Sequence, residues 1–266
     1  MEVRATSESV LNYPGDAVVV GTTKGAAPSG PLGEVDRALE GLIGRLIDSG
    51  EIRGKQSEVT VVHTQAKLAA ARVAVVGLGE AAGSDLFGAR KAMGAAARVL
   101  RDRGVRRVGT ALHHQAPPGT RQNQAARAVI EGAYAGLYRG GECKSEQELP
   151  QELDELSLLG VSEDDAEAVS EAARAGRVAG EATNYARRLV NLPPNEVTPS
   201  RLAEEAAAAG ESTGLEVEVL VPEQLERLGM GAFLAVARGS EEPARLMVLR
   251  HRGKEGGPRI AFIGKG

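Results

Sequence analysis

Hydrophobic and polar positions in the first part of the chain predict strands separated by helices. Short apolar runs rich in β-branched residues predict buried strands, and they cover 16–21, 58–63, 72–77 and 107–112. Between these runs apolar residues recur every three or four positions, which predicts helices over 34–48, 85–102 and 121–138. Alternation of strands and helices at this spacing predicts an α/β fold with a largely parallel sheet.

The stretch 184–198, NYARRLVNLPPNEVT, predicts a junction between domains. A helical pattern that runs to about Asn191 meets Pro193 and Pro194, which cannot continue a helix because proline lacks an N–H donor and clashes with the preceding turn. Thr198 and Pro199 then have the pattern of a helix start, with a capping hydroxyl before a first-turn proline. We therefore expect an N-terminal α/β domain over 1–160, a connecting helix over 161–191 and a second domain over 192–266.

The second domain is predicted to alternate in the same way, with helices over 199–209 and 222–228 and strands over 215–220, 232–237, 245–249 and 259–263. The last of these strands is of the apolar kind that lies inside a sheet, yet only three residues follow it. A parallel strand normally leads into a crossover connection, which usually contains a helix. From the sequence we therefore expect a truncated polypeptide.

Composition and charge exclude several classes of function. The formal net charge is −4 and aromatic residues make up 3% of the chain, without tryptophan, so neither a nucleic-acid binder nor a binder of anionic membranes is expected. One cysteine gives no disulfide framework and favours a reducing compartment. The N-terminus lacks a signal-peptide core, and no run approaches the roughly 20 apolar residues that span a bilayer. These features predict a soluble cytoplasmic protein.

Residues 77–83, GLGEAAG, are the first candidate binding site. They follow a predicted strand and resemble a dinucleotide-binding loop, but the third glycine comes one residue late and no acidic residue follows at the expected distance. A plain strand-to-helix turn is the interpretation we favour.

Histidine, cysteine and arginine residues give no independent signal of a site. His63, His113, His114 and His251 show no helical pair at metal spacing, and neighbours such as His113 and His114 would face opposite sides of an extended strand. We interpret them as surface or strand-end residues and Cys143 as an ordinary thiol. The arginines near the end of the third predicted helix complement the helix dipole, and they indicate a solvated face or a subunit contact: Arg98, Arg101, Arg103, Arg106 and Arg107.

Lys265 has two interpretations. Composition alone favours a solvated lysine in a turn, but Lys265 follows a predicted buried strand at its carboxyl end, which is where sites of open α/β sheets lie. Desolvation and a neighbouring cation can favour the neutral amine, whose lone pair can bind a metal ion.

From Asn184 onward the chain is similar to the leucyl (cytosol) aminopeptidase family. The resemblance rests on NLPPN-x-x-TP at 191–199, LGMG at 228–231, the glycine–serine pair at 239–240 and GKG at 264–266. These motifs match the start of the catalytic domain of that family. Residues before Asn184 fit its variable N-terminal domain, which resembles the macro-domain fold that binds ADP-ribose elsewhere.

The resemblance implies a cytoplasmic aminopeptidase that removes N-terminal residues from peptides and forms a homohexamer. Two divalent ions, zinc or manganese, activate a bridging water in that family. The lysine of GKG is a metal ligand there, and its position here is Lys265. The other ligands, three aspartates and a glutamate, and the catalytic lysine and arginine lie beyond the position of Gly266. We therefore expect no catalytic residue in this chain and no activity of the chain alone.

Two other functions stay open at the level of sequence. The N-terminal domain could bind a nucleotide or ADP-ribose through residues 77–83, or the chain could be a non-catalytic subunit of an oligomer.

Overall fold

The computed structural model describes residues 1–82, 85–116, 119–141, 143 and 152–265. The chain forms two compact units, Met1–Arg188 and Leu189–Gly266. The division between them lies inside the connecting helix that the sequence predicts. Within the described ranges, every helix is too short or too polar to cross a lipid bilayer.

A single mixed sheet forms the centre of the first unit. Its strands in the described residues are β1 (Glu2–Ala5), β2 (Ala17–Thr22), β3 (Val59–His63), β4 (Arg72–Gly77), β5 (Arg107–Thr110) and β6 (Glu155–Leu158). Their order is β1-β6-β5-β2-β4-β3, and every neighbouring pair is parallel except β3 and β4. The predicted α/β fold with a largely parallel sheet is confirmed.

Helices cover both faces of this sheet. They are α1 (Gly30–Ala38), α2 (Leu42–Asp48), α3 (Leu86–Arg101), α4 (Gln122–Leu137) and α5 (Ala166–Asn191). Ala17 and Val19 of β2 belong to the core beneath α3 and α4, whereas Val18 and Val20 belong to the core beneath α1 and α2. Every residue of β2 is buried, as expected for a parallel strand that is covered on both faces.

Helices α3 and α4 approach each other closely at glycine residues. A Cβ atom added to Gly132 would collide with the carbonyl oxygen of Arg90, and one added to Gly136 would collide with the carbonyl oxygen of Gly94. Glycine at these positions therefore permits a backbone-to-backbone crossing that any larger residue would prevent.

The second unit contains α6 (Pro199–Thr213), β7 (Glu216–Leu220), α7 (Pro222–Arg227), α8 (Gly231–Ala237) and β8 (Leu246–Arg250). Strands β7 and β8 pair antiparallel. The predicted start of α6 is confirmed, because the Thr198 hydroxyl accepts a hydrogen bond from the Arg201 N–H at 3.2 Å and Pro199 follows in the first turn.

Two strands predicted in this unit do not form. Residues 232–237 lie in α8, which shows that a short apolar run without flanking strand signals suits a helix as well as a strand. Residues 259–263 form no strand, and Ile260, Phe262 and Ile263 are 74%, 96% and 98% exposed. A strand needs a hydrogen-bonded neighbour, and in the described part of the chain no strand pairs with this segment.

Candidate functional site

The carboxyl edge of the sheet in the first unit is where a ligand site would be expected. Strands β2, β4, β5 and β6 run parallel, so their carboxyl ends at Thr22, Gly77, Thr110 and Leu158 meet there. Ligands of open α/β sheets bind in the crevice outside such ends. Two segments fill this edge, the loop after β4 and the 3₁₀ turn Leu112–Gln115 after β5.

The loop after β4 uses its backbone groups for internal hydrogen bonds. The N–H of Leu78 donates to the Thr22 carbonyl at 2.8 Å, and the N–H of Gly79 donates to the Gly54 carbonyl at 3.0 Å. The carbonyl of Gly79 accepts from the Lys24 N–H at 2.9 Å. A phosphate-binding loop needs free N–H groups, and these two are already engaged. Gly83, the last glycine of the candidate motif, lies outside the described residues.

A carboxylate occupies the start of the helix that follows this loop. The side chain of Asp85 caps α3, and its Oδ1 accepts a hydrogen bond from the Gly88 N–H at 2.7 Å. A phosphate at this helix N-terminus would face a negative charge and lose a donor that Asp85 already uses. Both observations support the plain strand-to-helix turn rather than a dinucleotide site.

Gln115 of the 3₁₀ turn takes the place of a neighbouring strand beside β2. The N–H of Gly21 donates to Gln115 Oε1 at 2.6 Å, and Gln115 Nε2 donates to the Gly21 carbonyl at 2.7 Å. Strand β5 pairs with β2 only as far as Thr110, so the amide continues the hydrogen-bonding pattern where the strand has ended. Sequence analysis did not single out Gln115. The residues around it carry no local signal of this contact, because its partner Gly21 is 94 residues away in the sequence.

His113 and His114 lie side by side in this 3₁₀ turn. The expectation that they would face opposite sides assumed an extended strand, but β5 ends at Thr110 and the two ring centroids are 4.0 Å apart. His114 Nε2 lies 2.8 Å from the Leu159 carbonyl oxygen, and His114 Nδ1 lies 3.1 Å from Nε2 of Gln122. Because a carbonyl can only accept, Nε2 of His114 carries the proton and Nδ1 accepts from the amide.

His113 is a buried imidazole without a hydrogen-bond partner. Its side chain is 2% exposed, and neither ring nitrogen has a partner among the described residues. Burial, with a smaller contribution from His114, lowers the pKa of His113 to about 3. The interpretation of this residue as a surface or strand-end histidine is therefore wrong. The ring is neutral at neutral pH, and it fills space at the edge of the sheet.

The two segments that fill this edge lead to a prediction about ligands of the first unit. We expect calorimetric titration with ADP-ribose to give no saturable heat, because the backbone donors of the loop and the edge beside Gly21 are occupied. A macro domain that binds ADP-ribose is the positive control. Saturable binding in the micromolar range would show that the 3₁₀ turn moves aside for a ligand.

Three of the five arginines near the end of α3 form contacts within the first unit. Arg101 is 7% exposed and donates to the Leu137 carbonyl at 2.9 Å. Arg106 pairs with Asp154 at 2.7 Å, and Arg107 donates to the Pro14 carbonyl at 2.8 Å. Arg98 and Arg103 are exposed. Cys143 is a free, exposed thiol.

Lys265 is exposed in the second unit. The strand predicted to precede it does not form, so the structure does not place it at the carboxyl end of a sheet strand. In the described ranges, no group of three or more histidine, cysteine, aspartate or glutamate side chains is close enough to hold a metal ion.

Comparison with known proteins identifies the family. The model of the cytosol aminopeptidase family N-terminal domain matches residues 19–147, and the model of the catalytic domain of that family matches residues 184–266. Together the two matches cover most of the chain. The chain belongs to the cytosol aminopeptidase family.

Curated relatives agree with this assignment over the whole chain. A protein named "Probable cytosol aminopeptidase" from Syntrophotalea carbinolica is 37% identical over 271 residues, which cover 100% of this chain and 54% of the relative. A protein of the same name from Methylobacillus flagellatus is 35% identical, over 94% of this chain and 51% of the relative. The chain thus spans about half the length of the curated relatives it matches.

The structures of two other proteins share the fold. A tomato leucine aminopeptidase mutant matches with a TM-score of 0.79 and 25% identity, over 96% of this chain and 52% of that protein. The bottromycin maturation enzyme BotP, in complex with Mn, matches with a TM-score of 0.69 and 28% identity, over 88% of this chain and 45% of BotP. These matches support the mixed α/β architecture.

Proposed function

We propose that the protein which carries this chain is a metal-dependent aminopeptidase that releases N-terminal amino acids from peptides. The observation that carries the proposal is the match of two domain models from one family, the N-terminal domain first and the catalytic domain second. The tomato leucine aminopeptidase, which covers nearly the whole chain, adds support from the fold. Peptides are therefore the proposed substrates.

The proposed domain organisation follows the family. Residues 1–160 form the macro-like N-terminal domain, 161–191 the connecting helix and 192–266 the start of the catalytic domain. The names of the curated relatives support a cytoplasmic location, and the family resemblance supports a homohexamer of the complete protein.

Two divalent ions, manganese or zinc, are the proposed cofactors of the complete protein. The Mn complex of BotP supports a divalent metal. The described residues do not by themselves fit a dinuclear site, because they contain no cluster of acidic, histidine or cysteine ligands. Lys265 is the one proposed ligand in this chain. It forms no ion pair with any described residue. The remaining ligands correspond to family positions beyond Gly266.

Replacement of Lys265 tests its role. In the complete protein we expect Lys265→Ala to lower the bound metal by one ion per chain and to reduce hydrolysis of leucine p-nitroanilide by at least about a hundredfold. Loss of residues that merely support metal ligands already costs roughly 10- to 100-fold, so loss of a ligand should cost at least as much. Elemental analysis after gel filtration measures the metal content independently of activity.

Lys254→Ala is the matched control, since Lys254 is an exposed lysine of the same unit. It should leave both metal content and hydrolysis unchanged. If Lys265→Ala also keeps its full metal content and rate, Lys265 is not a ligand. If the complete wild-type protein fails to hydrolyse the substrate with either metal, the proposed function itself is wrong. Residues 1–266 alone should be inactive.

A further inference from the structure

A groove of about 720 Å³ crosses the outer surface of the first unit. It runs over α3 from the start of β3 to α4. Three cationic residues line it, Arg90, Lys91 and Arg98, and no acidic residue appears among the described residues of its lining. This is an unusual surface on a chain whose formal net charge is −4.

Small residues give the groove a shallow, backbone-rich floor. Gly94 and Ala95 of α3 and Ala135 and Gly136 of α4 all line it. The glycine crossing brings the backbones of α3 and α4 into contact, so backbone atoms and small side chains form the surface between the two helices. A third helix can approach such a floor closely, because no long side chain projects from it.

The two outermost cations are available to a partner. Arg90 already forms an ion pair, because its guanidinium lies 3.3 Å from the carboxylate of Glu131. The same carboxylate also pairs with Arg127. Lys91 and Arg98 are exposed, and neither forms an ion pair within the described residues. They are seven residues apart on α3, so they point to the same side with a separation of about 10.5 Å along the axis.

An exposed aromatic ring extends this charged surface. Phe87 is 57% exposed, and the Lys91 ammonium lies 4.3 Å from the centre of its ring. Phe87, Lys91 and Arg98 therefore form one stripe along α3, with an apolar residue at one end and two cations after it. Aromatic residues and arginine are enriched at protein interfaces, and this stripe presents one of each on the same side of α3.

We propose that this groove binds an acidic amphipathic helix of a partner protein. Two carboxylates seven residues apart on such a helix have the same 10.5 Å spacing as Lys91 and Arg98. An apolar residue one turn before the first carboxylate would cover Phe87, and the small residues of the floor would accommodate the backbone of the partner. Nucleic acid is disfavoured as the occupant because only three cations line the groove.

The probe is a labelled helical peptide of about 16 residues with two glutamates seven positions apart and a leucine four positions before the first. Fluorescence anisotropy with the 266-residue chain should show saturable binding that weakens as salt rises from about 50 to about 500 mM. The combined replacement Lys91→Glu and Arg98→Glu should weaken binding at least tenfold. Replacing Arg37 and Arg174 by glutamate makes the same change in net charge outside the groove, and this control should change affinity less than twofold.

Three outcomes would overturn the proposal. One is no binding to the wild-type chain at millimolar peptide. A second is equal binding of a peptide whose glutamates are moved to opposite faces of the helix. A third is tighter binding of a single-stranded oligonucleotide, which would mark a general polyanion surface. Near-ultraviolet circular dichroism of each variant confirms that a loss of binding is not a loss of folding.

Discussion

Lowering the pH from about 7.5 to about 4.5 should reduce the free energy of unfolding of the first unit by about 2–3 kcal/mol through His113 alone. The pKa of this imidazole is about 3 in the folded chain, against about 6.5 in an unfolded one. Between these values the unfolded state binds a proton that the folded state excludes, so stability falls as the pH falls. Each pH unit below 6.5 contributes about 1.4 kcal/mol, and the effect stops growing below pH 3.

The structural reason is the surroundings of the ring. His113 is 2% exposed, both of its nitrogens lack partners among the described residues, and the ring of His114 lies beside it with its centroid 4.0 Å away. No carboxylate contributes to the shift in its pKa. A proton on His113 would therefore place an unpaired charge in the interior, and this is avoided only if the 3₁₀ turn opens.

Tyrosine signals allow this effect to be measured in one unit. The four tyrosines, at positions 13, 134, 138 and 185, all lie in Met1–Arg188, and the chain has no tryptophan. Urea unfolding followed by near-ultraviolet circular dichroism of tyrosine therefore reports the first unit. His113→Leu should remove about 2–3 kcal/mol of the pH dependence, and it leaves no hydrogen-bonding group without a partner.

His63→Gln is the matched control, because the side chain of His63 is exposed at the end of β3 and is in water whether the chain is folded or not. It should keep the pH dependence of the wild-type chain. The prediction is contradicted if wild type and His113→Leu lose stability in parallel. It is also contradicted if the His113 ring titrates near pH 6.5 by NMR while the turn stays closed.

Elements defined by local pattern could be predicted from the sequence. The continuous apolar runs of β2 and β4 can only be buried on both faces, which required helices on each side of a parallel sheet. The start of α6 was equally clear, since a capping threonine followed by proline has a local physical cause. In both cases the pattern that predicts the element lies within the residues of the element itself.

Elements that depend on distant partners could not be predicted. Residues 259–263 have the composition of a strand, but a strand exists only beside another strand, and its neighbour is not encoded within the segment. The hydrogen bonds between Gln115 and Gly21 connect residues that are 94 apart in the sequence, and no local sequence pattern predicts them. The role of Lys265 follows from the family resemblance alone, because a lysine between glycines has no specific signal.

The glycine crossing of α3 and α4 gives the second large expected effect. Gly132→Ala should reduce the free energy of unfolding of the first unit by about 2 kcal/mol. Overpacking costs roughly 1–3 kcal/mol, and the upper end applies because the collision is with the carbonyl oxygen of Arg90, a backbone atom that no rotamer change can move. The better helix propensity of alanine offsets about 1 kcal/mol of this cost.

Gly44→Ala in α2 is the control that separates packing from propensity. A Cβ atom there would lie 3.4 Å from the nearest atom, Oδ2 of Asp36, which is an ordinary contact. The same substitution should therefore be neutral or stabilise the first unit by up to about 1 kcal/mol. Opposite signs for Gly132→Ala and Gly44→Ala, measured by the tyrosine signal, would show that the crossing depends on the missing side chain. Equal stability of the two variants would mean that α3 and α4 can separate at little cost, and the groove above them would then lose its rigid floor.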